Sequence, residues 1–73
     1  MTWIDELADT LEVDRLSQEE IDTLLDSSRD IAHRVERKVT PVSTYLMGVA
    51  VGRGASADAV RASVASILPP PEA

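Results

Sequence analysis

The sequence predicts an all-α fold: a compact bundle of four helices, at about 2–12, 17–38, 41–52 and 56–68, with the third most buried. Three observations predict it. Apolar residues recur at three- and four-residue spacing along most of the chain, the period of a helix packed on one side. No stretch alternates as a strand would, and no internal repeat occurs. Start and stop signals at Ser17, Pro41, Ser56 and Pro69 cut the 73 residues into helix-length pieces.

The first helix opens at Thr2, whose hydroxyl can cap the amides ahead of it, and Asp5 suits the positive end of a helix dipole. Trp3, Ile4, Leu7, Ala8 and Leu11 follow at helical spacing. The connection EVDRL places Val13 and Leu16 where they could fold back onto the core.

In the second helix, SQEE at 17–20 is a capping box, Ser17 capping forward and Glu20 reaching back. Ile21, Leu24, Leu25, Ser28, Ile31, Ala32, Val35 and Val39 trace one face. Acids crowd the early turns and Arg34, Arg37 and Lys38 the last, opposing the dipole favourably at both ends. Ser28, small and mid-stripe, predicts that another helix crosses nearby.

Pro41 cannot continue that helix, and it steers Thr40 towards an extended conformation. Proline is welcome at the first position of a new helix, so Thr40 is expected to cap the third. That helix carries Val42, Tyr45, Leu46, Met47, Val49, Ala50 and Val51 around most of its circumference, as a central helix does. Thr44, Gly48 and Gly52 lie four apart, a smooth strip where a neighbouring backbone could come close. On that reading Gly48→Leu overpacks the contact. GRGAS closes the helix and Ser56 caps the fourth, with Ala57, Val60, Val64, Ile67 and Leu68 inward. Residues 1–68 thus form a single domain, and 69–73 a disordered, polyproline-like tail.

Composition narrows the function. Phenylalanine is absent, and Trp3 and Tyr45 are the only aromatics, so the core must be aliphatic. Cysteine is absent, which removes disulfides, thiolate metal sites and cysteine nucleophiles. Asp5, Glu6 and Asp9 interrupt the first apolar stretch, against both a signal peptide and a membrane span. A cytoplasmic protein is expected. The net charge of −6 is uneven: residues 1–26 hold nine acids against Arg15 alone, and the remainder six bases against four acids. Such an acidic half repels nucleic acid. A helix-turn-helix reading also fails on PVSTYLMGVAVG, which offers almost no side chains to read a base edge.

His33 is the one histidine, and Asp22, Asp26 and Asp30 share its strip of the second helix. Metal or ligand binding there is the alternative function. Against it, Asp26 precedes Arg29 by three, Asp30 precedes Arg34 by four and His33 precedes Arg37 by four, the order of a solvated helix face. No serine elbow, phosphate-cradling loop or zinc signature occurs, so neither a catalytic residue, a metal nor a cofactor is expected. Arg29, His33, Arg34, Arg37 and Lys38 are the candidates for docking an acidic partner surface. Thr40, Pro41, Thr44, Gly48 and Gly52 are expected to build the corner and the close helix contact.

The segment Arg29–Gly52, through RDIAHRVER, a proline shortly after and STYLMGVAVGRG, resembles a small actinobacterial domain of unknown function. WIDELADTLEV and IDTLLDSSRD fit the same layout. Members of that family occur alone or appended to proteins that look like molybdenum-cofactor guanylyltransferases. The resemblance implies a helical accessory or interaction domain linked to molybdopterin nucleotide metabolism. It transfers no catalytic residue. Self-association or binding of a protein partner, a cofactor-synthesis enzyme, is expected on physical grounds, since so small an aliphatic core without disulfides gains from burying further apolar surface.

Overall fold

The computed structural model describes residues 2–71, without the side chain of Thr2. The expected Thr2 cap and the end of the tail lie outside the described residues. Among those residues the order is α1 (Thr2–Thr10), α2 (Gln18–Arg34), a 3₁₀ turn at Arg37–Val39, α3 (Thr40–Gly52) and α4 (Ala57–Ile67). The fold is the expected all-α bundle.

The local signals act as their chemistry requires. The Ser17 hydroxyl accepts from the Glu20 amide at 3.1 Å, and the Glu20 carboxylate accepts from the Ser17 amide at 2.7 Å, completing the capping box. The Ser56 hydroxyl likewise accepts from the Ala59 amide at 3.1 Å. Pro69 holds Leu68 extended, at φ −66° and ψ 132°, and α4 stops. Two helices end in Schellman turns. At the end of α3, Ala55 and Gly54 donate to the carbonyls of Ala50 and Val51, with Gly54 at φ 103°. At the end of α1, Val13 and Glu12 donate to Ala8 and Asp9, and Glu12 takes the left-handed position at φ 58°.

The corner differs from expectation. α2 stops at Arg34, four residues early: both Val35 and Glu36 donate to the Ile31 carbonyl, and Glu36 is extended at φ −164°. A helix continued to Lys38 would be about 31 Å long, against roughly 20 Å for α3, and would run past the bundle. Breaking it instead returns Val39 to pack against the core. Thr40 is not extended but α-helical, at φ −59° and ψ −49°, and its hydroxyl caps nothing. Val39 occupies the cap position, and Pro41 falls where a missing N–H costs no helical bond.

Ile31, Met47 and Val60 form the core, one side chain each from α2, α3 and α4, with Leu24, Val51 and Val64 packed around them. Small polar residues are buried on α2 beside Leu24. Thr23 and Ser27 are buried, while Leu25, expected on the inner stripe, is 57% exposed. Arg61 of α4 reaches α2, donating to Thr23 Oγ1 at 3.1 Å and to Asp26 Oδ2 at 3.2 Å. Ser28 does mark a crossing, its hydroxyl 3.1 Å from that of Thr44 on α3.

The expected burial of α3 is not observed. Only Met47 of α3 is buried; Tyr45 is 73% and Leu46 64% exposed, and Val42 and Val49 are open as well. Its glycines make no close contact, since a Cβ built on Gly48 or Gly52 meets nothing within 4 Å. The reason lies in α1: no Cα of α1 comes within 8 Å of a Cα in another helix. Two neighbours, α2 and α4, cover one side of α3, and no fourth helix remains to cover the other.

Candidate apolar docking site

An apolar groove opens at the end of the bundle where α2 breaks. A larger hollow of about 720 Å³, between the α1–α2 connection and Gly48 and Gly52 of α3, is bordered by the charged Glu12, Asp14, Arg15 and Glu20. Ile31 of α2, Val35 just after it, Val39 of the 3₁₀ turn, Leu46 of α3 and Val64 and Ile67 of α4 line the groove, about 300 Å³ of space. The break at Glu36 creates it, because a continuous α2 would carry Val39 away from α3. A smaller hollow of about 230 Å³ shares Leu46, Met47 and Val64 and extends the groove along the α3–α4 crossing. The lining is almost wholly aliphatic, with the Ser43 hydroxyl turned back onto the Val39 carbonyl at 2.8 Å. With no nucleophile, base or oriented donor among these side chains, the groove can bind apolar surface by water exclusion.

The basic candidates border it unequally. Arg34, Arg37 and Lys38 adjoin the lining residues Val35 and Val39 in the chain. Lys38 is 3.5 Å from Glu36, an exposed pair worth little. Arg29 lies two turns earlier and pairs with Asp26 at 3.7 Å. His33 is exposed in the last turn of α2. The expected Asp30–Arg34 pair is not formed among the described residues, and Arg37 has left the helix that would have aligned it with His33.

On the acidic strip, Asp22 accepts from the Gln18 amide at 2.9 Å. Asp26 is engaged by two guanidinium groups, Arg29 and Arg61. No three His, Asp or Glu side chains converge on one point among the described residues. Arg61 is the residue that sequence reasoning missed. The signal available was a lone arginine beside the inward Val60, on a helix otherwise built of small and apolar residues.

α1 offers the complementary surface. Trp3, Leu7 and Leu11 stand four apart along one stripe, all exposed, with Trp3 at 65%. Arg15 fixes the exit of this helix, its Nε and Nη2 donating to the two oxygens of Asp9 at 3.0 and 2.6 Å. That hydrogen bonding, opposed by desolvation and aided by the guanidinium charge, holds the Asp9 carboxyl below its ordinary pKa. The clasp therefore contributes fully above the ordinary carboxylate range and is lost as pH falls through the lowered Asp9 value. In an NMR titration, Arg15→Gln should return the Asp9 midpoint to the ordinary value; an unchanged midpoint would show that the clasp does not form in solution.

No helix among the described residues is long and apolar enough to cross a membrane. No curated protein and no solved structure matches the chain. A family model described as Domain of unknown function (DUF6457) matches residues 1–69, and with nearly its whole length covered the chain belongs to that family.

Proposed function

We propose that this chain is a non-enzymatic interaction module that binds protein, a second copy or another chain, through the apolar groove and the open face of α3. One observation carries the reading. Val42, Tyr45, Leu46 and Val49 stand exposed on consecutive turns of one helix, beside a groove that is itself apolar. Contiguous exposed apolar surface of this kind marks an interaction site. Nucleic acid is not the proposed partner, since the acidic N-terminal half opposes phosphate. Freedom from cysteine suits a reducing compartment, and we assign the module to the cytoplasm.

The process we assign is molybdopterin guanine dinucleotide synthesis, with a molybdenum-cofactor guanylyltransferase-like protein as the heterologous partner. It rests on the resemblance of Arg29–Gly52 to an actinobacterial domain found appended to such proteins. Two measurements test the reading. The melting temperature of the full chain should rise with protein concentration, because association stabilises the folded state by mass action. Quantitative mass spectrometry of proteins retained from the native cell should show the guanylyltransferase-like protein on the wild type and not on Leu46→Asp. A melting temperature unchanged over about a hundredfold dilution, together with no such partner, would overturn the reading.

A further inference from the structure

The groove and the outer stripe of α1 are complementary: Ala8 is buried within the chain, but Trp3, Leu7 and Leu11 are left exposed. We infer that α1 of one copy seats in the groove of a second copy, reciprocally, to give a twofold dimer by helix exchange. The inference rests on the interaction reading above and names its occupant. Charge favours the match. α1 carries Asp5, Glu6 and Asp9 and no base, while Arg34, Arg37 and Lys38, against Glu36 alone in that stretch, adjoin the groove's lining residues Val35 and Val39 in the chain. Shape does too: nine residues of α1 measure about 14 Å, short enough to lie along the roughly 20 Å of α3. The stripe Trp3, Leu7, Leu11 is the spacing by which an amphipathic helix enters an apolar groove, with a tryptophan as anchor.

Surface area supports the same conclusion. The chain exposes 5572 Å², whereas a folded monomer of its 7.9 kDa exposes about 4,400 Å². α1, which stands off the other helices, shares this excess with the extended segment after Leu68, and it is of the order of the roughly 1,000 Å² of a specific interface. The chain's own groove is a poorer seat. α1 joins the start of α2, whereas the groove lies at the far end of α2, so folding back would have to carry α1 along the whole of that helix. A twofold axis instead offers each α1 the other copy's groove and satisfies both helices and both grooves.

The test mixes two full-length variants. Leu7→Asp spoils the helix, Leu46→Asp spoils the groove, and both positions are exposed within one chain, so each variant keeps its helical circular dichroism. By sedimentation equilibrium, wild type should dimerise and each variant alone should associate roughly a hundredfold more weakly, since each dimer would bury two unpaired carboxylates. An equimolar mixture should associate more tightly than either variant alone, because the intact α1 of the Leu46→Asp chain fills the intact groove of the Leu7→Asp chain while the seat that carries both carboxylates stays open. A wild type that stays monomeric overturns the exchange, and the groove then stands or falls on the partner measurement above. A dimeric wild type whose variants do not rescue one another also overturns it, pointing to like surfaces pairing, while leaving the interaction reading in place.

Discussion

Ile31→Ala should cost the fold about 3 kcal/mol. Ile31 is the α2 member of the cluster in which α2, α3 and α4 meet, against Met47 and Val60. Truncation removes its contacts with both partners at once, and neither helix can collapse inward without leaving the other. A chain of this length is stable by only about 4–11 kcal/mol, so the loss is a large share of the total. It should appear as a fall in melting temperature of roughly 15 °C. Leu25→Ala is the control: one helix and the same apolar class, but an exposed side chain, and a change of under about 0.5 kcal/mol. Equal losses at the two positions would mean that α2 is rotated from the orientation described.

Gly48→Ala should stabilise the chain by about 1 kcal/mol, the helix propensity that glycine forgoes relative to alanine. The new methyl meets nothing within 4 Å, so no packing loss offsets the gain. A close helix contact at Gly48 would give the opposite sign. The measurement is a denaturant midpoint at low protein concentration, where association contributes nothing. Destabilisation of similar size would restore the notched, buried helix that the sequence suggests.

These two positions show where sequence reasoning succeeds and where it stops. Caps and stops are local chemistry. Ser17 with Glu20, Ser56, Gly54 and Pro69 each act within a few residues, so helix existence and most boundaries can be read directly. Orientation is different. A helix apolar around its whole circumference has no preferred face, and α3 reads alike whether it is enclosed or half uncovered. The amphipathic pattern of α1 identifies a surface to be buried, not the chain that buries it. The stripe on α2 is read by hydrophobicity, yet Thr23 and Ser27 are buried while Leu25 is exposed, and Thr23 meets Arg61 of α4. The early end of α2 has no signal in VERKV, because it follows from where α3 must lie. Arg61 meets Thr23 and Asp26 across more than thirty residues, a pairing visible only once the helices are placed. Of the candidate site, Arg34, Arg37 and Lys38 adjoin lining residues in the chain, but the groove itself arises from the unforeseen break at Glu36.

The emission of Trp3, the one tryptophan, reads the central claim directly, because the indole is open to water in a single chain and covered on association. Diluting the full-length protein about a hundredfold should move the emission maximum to the red as copies separate. An emission maximum that holds constant over that range, in the absence of any partner, would contradict the account.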